Sequence, residues 1–304
     1  MLNINKKLYA YFGNFNFLYN LLEKNSLPNS MLISGEKGSG KTTFLLHFLI
    51  FSQLNKEDKE NYLKYFSFKD SALLNGAAIE KLQNIKIIKK LDSLKNISVD
   101  QIRNLISFCS LESFDDNPRF IFINNIEDLS ISAANALLKI LEQTPKNTYF
   151  FLEKDSDKSI TKTISSRCFK LTLKTNFQEN AEIFKKLLFD HDLVSFCNDE
   201  IFNRFDTAGS KINRLFYLKE HSLENLSIKE IAIYCLSDFK KNKNQKSLGY
   251  GVEFSKNFFL NAYKKKFKSS NGMYNNFMIK IEESFKYNSD ISSAISIIKQ
   301  VALK

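Results

Sequence analysis

Residues 35–42 read GEKGSGKT, a glycine-rich loop that ends in a lysine and a hydroxyl. The pattern G-x-x-x-x-G-K-[ST] puts Gly35, Gly40, Lys41 and Thr42 at its defining positions, with Gly38 as an extra glycine. Such a loop is built to hold a triphosphate. Its glycines let backbone N–H groups turn inward around the phosphates, and the lysine meets the β and γ oxygens. The threonine offers a hydroxyl to a metal ion, and the helix that follows adds its dipole. Gly35, Gly38, Ser39, Gly40, Lys41, Thr42 and Thr43 are therefore the expected nucleotide-binding set. A glycine-rich turn that binds nothing is the alternative, and the flanking segments, SMLIS before and TTFLLHFLIF after, speak against it.

A loop of this kind works with a second element. In a hydrolysing P-loop enzyme, a buried apolar strand ends in an aspartate that holds the magnesium shell, and in many such enzymes an adjacent glutamate polarises the attacking water. The apolar run RFIFI at 119–123 ends in Asn124 and Asn125 instead. An amide brings no negative charge to the cation and cannot take a proton from water. Magnesium is expected to be weakly held and hydrolysis slow. Glu127 and Asp128 lie just beyond, but a shift along the chain changes side-chain direction as well as reach, so both are read as solvated helix-entry residues.

The elements that position these groups follow from periodicity. Short β-type runs at 30–34, 84–89, 119–123, 148–152 and 169–173 alternate with helical periods, which predicts a parallel sheet with helices on its faces. Ser98 followed by Gln101 is a capping-box pattern, and Ile102, Leu105, Ile106 and Cys109 then share one helical face. After about residue 174 strand signals fade and helical periods dominate. The boundaries expected are 1–173 for a nucleotide-binding domain, 174–225 for a small helical domain and 226–304 for a second one.

With 304 residues, 43% of them hydrophobic, the chain is long enough for two or three cores. No run of about 18 apolar residues occurs and the N-terminus lacks a signal-peptide pattern, so a cytoplasmic protein with no membrane partner is expected. Four dispersed cysteines and three histidines suggest neither a disulfide framework nor a zinc cluster. The net charge of +11 is compatible with a nucleic-acid partner. It is equally compatible with an A+T-rich coding sequence, which would enrich Lys, Asn, Ile and Phe without selection for binding. The basic stretch at 240–246 has no interleaved aromatics and reads as a solvated loop.

Beyond the strand, the helix AANALLKILEQTP (133–145), the next strand and the tripeptide Ser166-Arg167-Cys168 stand at a familiar spacing downstream of the phosphate loop. Together with LLNGAAIEKL and ISVDQIRNL they resemble the clamp-loader branch of the AAA+ ATPases, and within it the delta-prime family of bacterial DNA polymerase III, over at least residues 28–173. The resemblance implies an α/β fold: a P-loop AAA+ parallel-sheet domain, a helical lid domain and a C-terminal helical collar domain. It implies a DNA-replication role in a hetero-pentameric ring with the clamp-loader ATPase subunits and the clamp-opening subunit. That ring opens a sliding clamp and loads it onto primer-template DNA as part of the polymerase holoenzyme. Each ATP site would lie between neighbours, with Arg167 an arginine finger acting in trans, while this chain holds ATP or ADP without turning it over.

Two departures bear on that reading. Relatives often carry a cysteine zinc module after the P-loop helix, yet residues 51–76 contain no cysteine, so no zinc is expected. The lid arginine of the family is matched most nearly by Arg214, a residue or so further from Gly209 than in the family pattern. A free-standing AAA+ motor of DNA recombination or repair is the alternative, and the asparagines at 124 and 125 argue against it. A small-molecule phosphotransferase would need acceptor-binding arginines and a carboxylate near the phosphates, and no convincing set is seen.

Overall fold

The structure, a computed structural model, describes residues 5–69, 82–91, 96–110, 118–197, 201–203, 206–264, 270–286 and 291–300. Most of LLNGAAIEKL lies outside them. The chain divides into two compact units, residues 1–183 and 184–304. The boundary falls inside one helix, Phe177–Asp190.

Five parallel strands form the sheet of the first unit: β1 (Ser30–Gly35), β2 (Ile85–Ile88), β3 (Arg119–Ile123), β4 (Thr148–Asp155) and β5 (Phe169–Thr172), in the order β2-β3-β4-β1-β5. All five expected strands are present. The one consequential difference is that β4 runs on to Asp155, three residues past its apolar run. Glu153, Lys154 and Asp155 read as a charged loop by propensity, but ladder pairing with Ile33, Ser34 and Gly35 of β1 keeps them extended.

Alternation along the strands sorts their side chains between two cores. Met31, Ile33, Phe120, Phe122 and Phe151 pack on one face with the helices α1 (Phe12–Glu23), α2 (Lys41–Ser52) and α3 (Lys56–Tyr65). Leu32, Ile121, Ile123, Phe150 and Leu152 pack on the other with α4 (Val99–Ser110) and α5 (Ile131–Glu142). Because strands have a period of two, Asn124 and Glu153 continue the series that faces α2. The predicted capping box opens α4: the Ser98 N–H donates to Gln101 Oε1 (3.1 Å) and the Gln101 N–H to Ser98 Oγ (3.3 Å). No helix among the described residues is long and apolar enough to cross a membrane. The four cysteines are free, as expected, with Cys109, Cys168 and Cys235 buried.

Helix α2 is apolar all round, with Phe44, Leu45, Leu46, Phe48, Leu49, Ile50 and Phe51 buried, as befits a helix enclosed on every side. His47 lies in the middle of it, fully buried. Its Nε2 faces the Asn5 carbonyl at 2.8 Å, which can only accept, so Nε2 carries the hydrogen and Nδ1 accepts from the Tyr62 hydroxyl at 2.7 Å. Burial pushes the His47 imidazole from 6.5 down to about 4. The unfolded chain therefore takes up a proton first as pH falls, so this group's contribution is complete above pH 6.5 and is lost between 6.5 and 4. Urea unfolding across that window should show stability falling by roughly 1 kcal/mol per pH unit more steeply than in a His47→Leu variant.

In the second unit, α8 (Ala208–Glu220), α9 (Ile228–Asn242), α10 (Gln245–Lys264), α11 (Ser270–Lys286) and α12 (Ser292–Gln300) follow α7 (Phe177–Asp190) and the four-residue α6 (Lys162–Ser165) in chain order. The first turn of α9 carries a complete capping box between Ser227 and Glu230. Helices α9 and α10 approach closely at Gly251, where an added Cβ would stand 2.8 Å from Leu236 Cδ2.

Candidate functional site

The phosphate loop joins β1 to α2, where a strand ends and a helix N-terminus begins. Gly38 and Gly40 take φ of 75° and 91°, backbone values that favour glycine, so the loop turns where its sequence permits. Gly35 is required for a different reason. A Cβ there would stand 2.7 Å from the Leu173 carbonyl oxygen, 3.1 Å from Ser39 Oγ and 3.2 Å from Lys41 Cδ. Ser39 Oγ is buried with no partner among the described residues. The Tyr11 hydroxyl, which sequence reading did not single out, donates to the Ser39 carbonyl at 2.9 Å and ties the N-terminal segment to the loop. Thr43 sits half-buried in the first turn of α2.

Lys41 is only 3% exposed, and its Nζ donates to the Glu36 carbonyl (2.9 Å) and to Asp155 Oδ1 (2.7 Å). Thr42 Oγ1 is within 2.8 and 3.0 Å of the two carboxylate oxygens of Glu153. Asn124 Nδ2 donates to Glu153 Oε2 at 2.8 Å. Burial raises the Glu153 carboxyl above the usual carboxylate range. The Thr42 hydrogen bond, the charge of Lys41 and the Asn124 hydrogen bond all pull it back down. Lys41, Thr42 and Asn124, three residues of the sequence-based set, therefore converge, and two carboxylates absent from that set, Glu153 and Asp155, stand among them.

Asn125 adopts a left-handed conformation (φ 52°) at the start of the turn Ile126–Asp128. Glu127 is not the solvated residue expected from its position. Its Oε1 accepts from the Asp155 N–H at 3.1 Å, and its Oε2 is buried without a partner among the described residues. The turn after β3 folds this side chain back onto the end of β4. Asp128 keeps a partly exposed pairing with Lys90 at 3.3 Å.

Ser166-Arg167-Cys168 lies between α6 and β5. Cys168 is buried, with its Sγ against the Ile164 carbonyl at 3.3 Å. Arg167 projects outward and is held by the Thr163 carbonyl (2.9 Å) and by Glu142 at the end of α5. A buried cysteine thus anchors the tripeptide while the neighbouring guanidinium stays at the surface.

Arg214 is placed differently. It is 5% exposed within the helical unit, paired with Asp206 and with Glu253 Oε2 (3.1 Å). Against the cost of burial, those two carboxylates, Asp206 more than Glu253, hold its guanidinium charged.

The donor set fits a nucleotide with a divalent cation: an inward-turning glycine loop, a buried lysine, a threonine hydroxyl and an adjacent carboxylate. Among the described residues no group of three His, Cys, Asp or Glu is arranged to hold a metal by itself.

The family model described as "DNA polymerase III, delta subunit" matches residues 13–177, more than half of the chain. DNA polymerase III subunit delta' of Haemophilus influenzae is 40% identical over 74 residues, covering 24% of this chain and 23% of that protein. The subunit delta' of Buchnera aphidicola subsp. Baizongia pistaciae is 27% identical over 150 residues, covering 42% of this chain and 45% of its own. The matched stretches thus span less than half the length of these two relatives. Among solved structures, a DNA polymerase III gamma subunit-related protein of Thermotoga maritima covers 94% of this chain and 97% of its own, with a TM-score of 0.53 and 15% identity. That likeness bears on the fold.

Proposed function

Since the chain belongs to the DNA polymerase III delta subunit family, and so to the clamp-loader subunits of the AAA+ class, we propose that it acts as the delta-prime-type member of the loader. In this reading it helps place the sliding clamp on primer-template DNA during replication. The observation that carries the proposal is the division of labour at its own surface. An asparagine stands where hydrolysis needs an acid, while an arginine is presented outward on an anchored tripeptide.

At the loop, the backbone N–H groups of residues 35–42 and Lys41 would bind the phosphates of ATP or ADP, and Thr42 would face the accompanying Mg2+, whose chemistry is to neutralise charge between phosphate oxygens. Lys41 must leave Asp155 to do so. Asn125, at the place of the glutamate that polarises water, cannot take a proton from it, so binding without turnover is the expected behaviour of the chain alone. Arg167 would leave Glu142 and Thr163 to reach a site on the adjacent subunit. The cytoplasm is the compartment where this replication machinery would work.

The experiment is affinity capture of the tagged chain from its native cell extract, with mass spectrometry of the associated proteins. Recovery of the loader's ATPase and clamp-opening subunits in a five-member assembly is the expected result. A chain recovered alone, together with vigorous ATP hydrolysis by the purified protein, would instead favour a free-standing AAA+ motor.

A further inference from the structure

The apparent loss of the acidic strand end has a counterpart one strand away. The register pairs Ile123 of β3 with Leu152 of β4, so the next step sets Asn124 beside Glu153 on the face toward α2. Neighbouring strands lie about 4.8 Å apart, a distance that a glutamate side chain spans. Resting on the nucleotide-binding reading above, we infer that Glu153 supplies the carboxylate of the metal shell at this phosphate loop, in the role that an aspartate at the end of β3 would fill.

Three contacts carry this. Thr42 Oγ1 gives its single hydrogen to Glu153, at 2.8 and 3.0 Å from the two oxygens, and takes a long contact from Asn124 Nδ2 at 3.5 Å, which leaves one lone pair of the hydroxyl oxygen for a cation. Asn124 Nδ2 donates to Glu153 Oε2 at 2.8 Å, so the amide supports the carboxylate; an aspartate at 124 would set a second negative charge against it. Glu153 is itself 3% exposed, and a carboxylate this deep persists only where hydrogen bonds and cations meet it. Thr42, Asn124 and the nearby Lys41 are those groups here. Asn124 is then a working part of the site and not only a vacancy left by a lost acid.

Glu153 is a positioning residue in this account: it orients Thr42 and places charge. The test is ATP binding by the full chain, measured by calorimetry in Mg2+ and again in EDTA, with Mn2+ binding in the presence of ATP followed by electron paramagnetic resonance. The wild type should bind about tenfold or more tightly in Mg2+, the scale of one charge-assisted contact. Glu153→Gln should shrink that gain to within about twofold and leave the EDTA affinity undiminished. Asn124→Asp combined with Glu153→Gln, which moves the charge back to β3, should restore the gain and the bound Mn2+ signal.

A magnesium gain that survives Glu153→Gln would overturn the inference, as would an equal loss of affinity in both conditions, the mark of a merely structural role. Should the single variant fail to fold, the double variant decides alone: a gain retained there supports the inference, and a gain lost overturns it. Absence of ATP binding by the wild type in either condition would remove the nucleotide reading itself, and the inference with it.

Discussion

Under the role in trans proposed above, replacing Arg167 with alanine is expected to slow ATP turnover at the neighbouring site of a reconstituted loader by about 10³-fold, the lower end of what an arginine finger contributes. The nucleotide affinity of this chain should not change. The reasoning is geometric. Cys168 is buried and fixes the tripeptide, so the neighbouring side chain can be rigidly placed while remaining outside the core. Among the described residues the Arg167 guanidinium has a carbonyl and one half-exposed carboxylate as partners, and both can be exchanged for a phosphoryl group of a nucleotide on another subunit. Its loss costs the fold little, because exposed ion pairs contribute at most about 1 kcal/mol. Arg167→Lys should recover little of the activity, since an ammonium cannot reproduce the planar, multidentate contact. Single-turnover hydrolysis by the reconstituted complex reads this out. Unchanged turnover with Arg167→Ala would exclude action in trans.

The second large effect concerns Lys41 and has an opposite partner. Lys41→Met should weaken ATP binding by the isolated chain by roughly tenfold to a hundredfold, the range for removing charge-assisted hydrogen bonds. The same change strips Asp155 of its cation, so thermal stability should also drop. Asp155→Asn works in the other direction. In the structure Asp155 occupies the lysine that phosphate would need, at 2.7 Å, and removing its charge should raise affinity for ATP in EDTA. Filter binding or calorimetry with the two variants side by side checks the pair. If both weakened binding equally, Asp155 would be aiding the site and not competing within it.

Much of this was legible before the structure. The glycine pattern placed the loop because each glycine has a local reason to be there: Gly38 and Gly40 for φ, Gly35 for a carbonyl at 2.7 Å from where its Cβ would be. Apolar runs gave the three inner strands β1, β3 and β4, since a strand buried on both faces leaves an unbroken hydrophobic signature, while the edge strands β2 and β5 showed as shorter β-type runs broken by lysine. The acids at 153 and 155 were hidden because that signature stops at Leu152, and what holds the next three residues in the ladder is pairing with β1, a contact more than a hundred residues distant. Sequence spacing also could not show Glu127 turning back onto β4, which depends on the tight turn at Asn125. The signal available in hindsight was parallel register: once RFIFI and TYFFL are aligned, Asn124 and Glu153 fall side by side.

The strand order has a consequence for how such chains are judged. Because β4 lies between β3 and β1, two adjacent strand ends overlook the same phosphate loop, and either can deliver an acid to it. Acidity at this ledge belongs to the rung and not to one place in the sequence. On the inference drawn above, two substitutions would carry it from one strand to the next. A chain judged inert from the last residue of β3 alone has had only half of the rung inspected.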